Sequence, residues 1–378
     1  MANTLNLGNG NWATKEDSLL AYNSENGNFK PLPFDFTRAS SATVVNKAGL
    51  IETVGSGEPR IDFSNDAKGA LLLEPTRSNL YTYSNDVSFW TKSNVITTSD
   101  YAISPDGTQN AFRAAFSSSA GALYINALGT TGVNNTLSVW AKSNNGSSNK
   151  FRFFGNGFTI ISNDYVATDE WQRFEFTYNC SNVTSGLTGA SDSATNDILF
   201  YGFQHEAGSY ATSYIPTQGS AVTRVADVCN QTVPSGIIGQ TEGTMYCEID
   251  VKSGYDVNNL ILTLSDGTAN NFMYINRSNG KLEVYIKTNG VVQLSYLSAS
   301  ILSVGRHKLS LAYKLNDFVF YLDGVLMYSD TSGTVPSCNK INVGSYYNEL
   351  LPFNNRIKDV KLYNTALTDA ELQALTSN

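Results

Sequence analysis

The segment Cys247–Val251, CEIDV, carries the most chemistry-like spacing in this sequence. On a β-strand Glu248 and Asp250 share one face while Cys247, Ile249 and Val251 point to the other. Paired carboxylates on a sandwich strand are the equipment of a retaining glycosidase, which needs two carboxyls about 5 Å apart, one of them a proton donor. The strand offers no third acid: Lys252, Ser253 and Gly254 follow instead. No catalytic residue is therefore expected, and the chain reads as a non-enzyme. His205 and His307 are the only histidines, too few for a metal cluster or a His-based nucleophile pair. Cys180, Cys229, Cys247 and Cys338 lie far apart without a C-x-x-C, and read as reduced packing residues. Asp323 precedes Gly324 and has a turn role. The G-x-G triplets at Gly8, Gly55 and Gly155 open no helix and read as turns. Neither a metal nor a cofactor is expected.

What remains is aromatic. Tyr346 and Tyr347 in VGSYYNELLPFNN, with Asn354 and Asn355, have the residue types that stack on a sugar face and bond its hydroxyls. The same residues would serve equally for packing against a neighbouring subunit or the preceding domain, and both readings stay open.

These residues must be positioned by strands. Of 378 residues only 15% are charged and 41% hydrophobic, with Gly, Asn, Ser, Thr and aromatics abundant, a β-rich composition. The net charge of −8, without a Lys/Arg cluster, argues against a nucleic-acid partner. No uninterrupted run of about 18 apolar residues predicts a membrane span, and the N-terminus does not have the pattern of an export signal. In EWQRFEFTYN (Glu170 to Asn179), Phe174, Phe176 and Tyr178 alternate with Arg173, Glu175 and Thr177, the period of a half-buried strand. TLSVWAKS and DILFYGFQHE read likewise. Asn279-Gly280, Asn289-Gly290 and Asp323-Gly324 separate apolar strands and predict type I′ hairpins. The close, TALTDAELQALTSN, predicts one short helix capped by Thr368 and Glu371, with Leu372 and Leu375 facing inward. The expected fold is all-β: an N-terminal adaptor segment (1–79), a jelly-roll (80–235) and a second antiparallel β-sandwich (236–378) in series, with one short C-terminal helix.

LSVGRHKLSLAYKLNDFVFYLDGVLMY, followed by KINVGSYYNELLPFNNRIKDVKLYNTALTDAELQAL, resembles a laminin-G/concanavalin A-like lectin domain. It departs from the usual pattern at Arg306, where that family often has Trp, and at Asn355, where it often has Gly. The first half, with FTRASSAT, GLIE, PRIDF, GALLLEPTRSNL and QHEAGSYATSYIPTQGSAVTRVAD, is similar to virion proteins of tailed bacteriophages carrying a carbohydrate-binding-like jelly-roll. The resemblance implies a head or tail fibre or appendage subunit, exposed on the virion and made in the host bacterial cytoplasm. Its partners would be further copies of itself, with a trimer favoured, other virion proteins through the N-terminal segment, and host-surface or mucus glycans. A purely architectural decoration or adaptor protein is the alternative, and a polysaccharide depolymerase the third reading. In the stretch Gln204 to Asp227 the resemblance implies a structural signature, with Thr212, Tyr214 and Pro216 fixing the chain's exit from the jelly-roll beside Asn79 and Leu80.

Overall fold

Positive φ at both residues of a two-residue loop is the geometry that lets a hairpin follow the natural strand twist. Asn279-Gly280, Asn289-Gly290 and Asp323-Gly324 all adopt it, with φ between 49° and 80°. Each closes a hairpin: Ser278 pairs with Lys281, Thr288 with Val291 and Leu322 with Val325. The computed structural model of the protein describes all residues other than 1, 16, 22–31, 127, 128, 183, 193, 253–258, 351 and 378.

The hairpins build a large two-sheet sandwich. Its first sheet runs, in spatial order, Val325–Asp330, Asp317–Leu322, Gly305–Lys314, Glu242–Val251, Asn355–Tyr363, Ala70–Leu73 and Ile61–Asp62. Leu5–Gly8 also pairs with Asn355–Tyr363, along the half of that strand which Ala70–Leu73 leaves free. The second sheet runs Ala13–Lys15, Ser18–Ala21, Leu32–Thr37, Val228–Thr232, Lys340–Val343, Asn259–Ser265, Phe272–Ser278, Lys281–Thr288 and Val291–Ile301. One core fills the space between them. Met245, Ile249, Leu311 and Val360 from one sheet meet Leu264, Ile275, Val284 and Ile286 from the other.

The N-terminal region departs from the sequence expectation. Residues 1–79 do not form a segment apart: most of their strands extend both sheets of the C-terminal sandwich, Ala42–Val45 and Ile51–Val54 pair as a separate hairpin, and Leu5, Leu7, Phe34, Phe36, Leu71 and Leu73 are buried in the sandwich core. Val228–Thr232, placed by sequence at the end of the jelly-roll, belongs to the same sandwich. The serial order therefore gives way to a nested one, in which the jelly-roll is inserted between two halves of a single sandwich. Short alternating strands looked too poor to own a core because their apolar faces are completed by strands some 200 residues away, beginning at Val228.

The inserted jelly-roll has a five-stranded sheet (Val95–Ile103, Gln109–Phe116, Asn196–Ala207, Asn134–Ser143, Gln172–Asn179) facing a sheet that includes Ala122–Asn126, Thr184–Gly189 and Asn149–Gly155. Phe174, Phe176 and Tyr178 pack inward as their alternation requires. The chain enters and leaves side by side: Arg77–Asn79 pairs with Val222–Arg224, and Asn79 Nδ2 donates to the carbonyls of Phe203 and Ile215 at 2.9 and 2.8 Å. Tyr214 helps fix the exit, its hydroxyl 2.6 Å from Ser84 Oγ.

Below this crossing lies a buried ionic joint. Arg38 Nη1 is 3.0 Å from Asp227 Oδ1, Arg60 Nη1 is 2.8 Å from Glu74 Oε2, and Arg60 Nη2 also reaches Asp227. Arg224 Nη1 is 2.5 Å from Glu74 Oε2, and the Ser213 N–H donates to Glu74 Oε1 at 2.8 Å. Burial alone would raise the Glu74 carboxyl, but Arg224 and Arg60 outweigh it and hold the group well below the usual carboxylate range. These residues come from FTRAS, PRID, LEPTR, YATSY and VTRVAD, the motifs of the first half. The helix Asp369–Thr376 closes the chain. The Thr368 N–H donates to Glu371 Oε2 at 2.8 Å, and Leu372 is buried against Tyr321 and Tyr363.

Candidate functional site

On the outer face of the second sheet, cross-strand register aligns three pairs: Phe272 with Lys287, Tyr274 with Tyr285, and Asn276 with Glu283. Their neighbours Met273, Ile275, Val284 and Ile286 point into the core, so period-two alternation puts these pairs outside. Tyr274 and Tyr285 stack at 5.6 Å between centroids and 13° between planes, and Phe272 stacks on both. The loop after Lys340–Val343 folds back over this ladder. Tyr347 stacks on Phe272 at 5.7 Å, Tyr346 meets Phe272 and Tyr274 edge-on, and Tyr346 and Tyr347 lie 4.3 Å apart. The four tyrosines are each half-buried. Partial burial, followed by the neighbouring Tyr347, pushes the Tyr346 hydroxyl up to about 12.

The loop is anchored. Gly344 has φ 74°, and a Cβ there would sit 2.3 Å from Leu73 Cδ1, so only glycine lets the chain turn off the strand at this point. Thr263 Oγ1 donates to the Ser345 carbonyl at 2.9 Å, and Tyr346 N–H donates to the Leu350 carbonyl at 2.9 Å. Beside the rings, Asn276 Nδ2 donates to Glu283 Oε2 at 2.7 Å. The result is an aromatic platform with a half-buried carboxylate at its edge, held by the buried Asn276 amide, able to meet the C–H face of a sugar and its hydroxyls.

Two of the four residues singled out in the sequence are not part of it. Asn354 and Asn355 are buried, 4% and 0% exposed, and Asn355 Oδ1 accepts the Lys252 backbone N–H at 2.7 Å. They shape the start of the last strand. Sequence reading missed Phe272, Tyr274, Tyr285 and Glu283, although the alternation in FMYINRS and KLEVYIKT put them on one face; what it lacked was the register that stacks them.

Glu248 and Asp250 project from the outer face of the first sheet among cations. Glu248 Oε1 is 3.6 Å from Arg306 Nε and 3.7 Å from Lys358 Nζ, while Asp250 Oδ2 accepts from Asn65 Nδ2 at 2.9 Å. A carboxylate absent from their own strand is supplied by the next one: Asp359 stands opposite Glu248, is 2% exposed, and is paired with Lys361. Burial raises the Asp359 carboxyl against the pull of Lys361. His205 is buried between Asn135 and Ser185, and burial lowers it to about 4. His307 Nδ1–H donates to Asp323 Oδ2 at 2.7 Å within the hairpin region. The four cysteines are buried and form no disulfide.

Residues 230–373 match the family model of the concanavalin A-like lectin/glucanases superfamily. No curated protein matches the sequence. Among solved structures, the chain is similar to the CBM40 of Ruminococcus gnavus IT-sialidase (16% identity, 37% of this chain and 84% of that one, TM-score 0.32). It is also similar to domain 4 of AbnA, an extracellular arabinanase of Geobacillus stearothermophilus (12%, 44% and 82%, TM-score 0.34). A native heptameric SAP-like pentraxin from Limulus polyphemus is similar at 14% identity, with 36% and 70% covered and a TM-score of 0.30.

Proposed function

We propose that this protein is a glycan-binding appendage subunit of a bacteriophage virion, on head or tail, with the tyrosine platform as its contact for neutral host-surface or mucus glycans. The observation that carries the glycan reading is the set of four half-buried tyrosines gathered on Phe272, three stacked and Tyr346 edge-on, within the lectin-like segment. The virion assignment rests on the first-half motifs, whose charged residues form the ionic joint. No catalysis is proposed at Glu248 and Asp250, because cations occupy their surroundings. A shallow platform binds weakly, on the order of millimolar to high micromolar per site, so the proposed working form is an oligomer, a trimer by preference, in which linked sites gain about 10²–10⁴ in avidity.

The test is binding of full-length protein to a neutral-glycan array and to host cells, with light scattering to give the oligomeric mass. The double variant Tyr346→Ala/Tyr347→Ala is expected to abolish binding while keeping its thermal midpoint near wild type. A double variant that binds like wild type, or a wild type that binds no neutral glycan, would leave the architectural reading in its place. Antibody labelling of virions tests the location.

A further inference from the structure

Where the jelly-roll meets the sandwich, the protein encloses a cleft of about 610 Å³, within the range of small-molecule sites. Its lining brings apolar Val44 and Ile51 together with Arg356, Lys252 and Asp250 from the rim of the first sheet, where the strand pairing sets Val304 near Lys252, and with Arg173 from the jelly-roll. Arg356 is 6% exposed and rigidly held: Nε donates to Asp62 Oδ1 at 2.7 Å and Nη2 to Ser64 Oγ at 2.5 Å. Its Nη1 has no hydrogen-bond partner among the described residues, and Asp250 Oδ2 is 3.9 Å from it.

The acids of the cleft already have donors. Asp62 is engaged by Arg356 and Ser64, Asp250 by Asn65 at 2.9 Å, and Glu175 by the Ala211 N–H at 3.4 Å. Of the cations, Arg356 is paired with Asp62, and Arg173 donates to the Thr212 carbonyl and to Ser138 Oγ, which leaves Lys252 as the one to be matched. Lys252 is open to the cleft's water yet walled by protein, and its ammonium makes no hydrogen bond to a described residue. That enclosure, followed by the charge of Arg356, lowers the ammonium to about 8. The groove over Glu248 is different: Lys358 and Arg306 share Asp66 and Glu248, and Lys361 has Asp359. The cleft sets the unbonded Lys252 ammonium and the free Arg356 Nη1 beside apolar side chains suited to the C–H face of a ring.

We infer that this cleft is a second binding site, for a carboxylate-bearing sugar unit of an acidic glycan, with Lys252 as its ion partner and Arg356 as the fixed charge behind it. The choice of a sugar rests on the glycan-binding reading; the preference for an anion rests on the cleft alone. Calorimetric titration of the full-length protein with trigalacturonate tests it, alongside the methyl-esterified trimer and inorganic phosphate. Wild type is expected to bind trigalacturonate at least about tenfold more tightly than the ester, and Lys252→Met to lose about tenfold or more, as for one charge-assisted hydrogen bond. Lys252 is exposed, so the variant should melt with wild type, which separates loss of binding from loss of fold. The Tyr346→Ala/Tyr347→Ala variant is expected to keep this binding, so failure at the platform and failure in the cleft are told apart. Equal affinity for acid and ester, unchanged binding by Lys252→Met, or phosphate displacing trigalacturonate at equal concentration would each overturn the inference.

Discussion

The ionic joint around Asp227 and the aromatic platform around Tyr346 both lie outside the apolar cores, and they are built on opposite terms. In the joint each of Arg38, Arg60 and Arg224 touches a carboxylate, and these side chains are 0% or 1% exposed. In the platform the tyrosines pack on one another yet stay half-exposed. Buried charge is costly unless every member finds its partner, so such a cluster specifies one geometry and offers nothing to a ligand. A half-exposed ring stack keeps free surface that only a ligand or another chain can cover. The difference separates residues that fix the jelly-roll onto the sandwich from residues that would meet something outside.

Breaking the joint should have the largest effect on stability. Glu74→Gln leaves Arg60 and Arg224 buried with only Asp227 to neutralise them, and a loss of about 3–5 kcal/mol is expected by chemical denaturation. A loss under about 1 kcal/mol would mean that the joint is open to water in solution, since exposed pairs are worth no more than that.

Acid should sharpen the contrast between the two sandwiches. Folded His205 binds a proton near 4, whereas the unfolded side chain does so near about 6.5, so the folded state holds fewer protons between those values. The stabilisation is fully present above the unfolded value and falls as pH drops through the window, by an amount on the order of 3 kcal/mol. Thermal melts at pH 7 and pH 4.5 should show the jelly-roll signal losing stability, and His205→Gln should flatten that dependence. A pH-independent jelly-roll transition in wild type would refute the buried, neutral assignment.

The smallest expected effect is at Glu248. Its oxygens lie 3.6 Å or more from their cations on a partly open face, so Glu248→Gln is expected to change stability by under about 1 kcal/mol. Wild type should release no new reducing ends from capsular or β-glucan polysaccharides. Release that vanishes in Glu248→Gln would turn Glu248 and its cross-strand neighbour Asp359 into a catalytic pair.

Local pattern was enough for much of this protein. Alternation identified the strands because a half-buried sheet face obeys a period of two. Asn-Gly and Asp-Gly placed the hairpins because few residues tolerate positive φ at both turn positions, and Thr368 with Glu371 marked the helix start. Cys180, Cys229, Cys247 and Cys338 read from the sequence as packing residues, and all four are buried. Partnership between distant segments was decided only by the tertiary structure. Nothing local in LNLG or ALLL says that both will line the same edge of Asn355–Tyr363, since hydrogen-bonding edges are alike in every strand. The arginines and acids of FTRAS, PRID, LEPTR and VTRVAD were visible as motifs, but their pairing needed the jelly-roll to be folded out of the way. The platform followed the same rule: Tyr346 and Tyr347 were legible as aromatic, while the stack beneath them arose from strand register, which depends on the whole sheet.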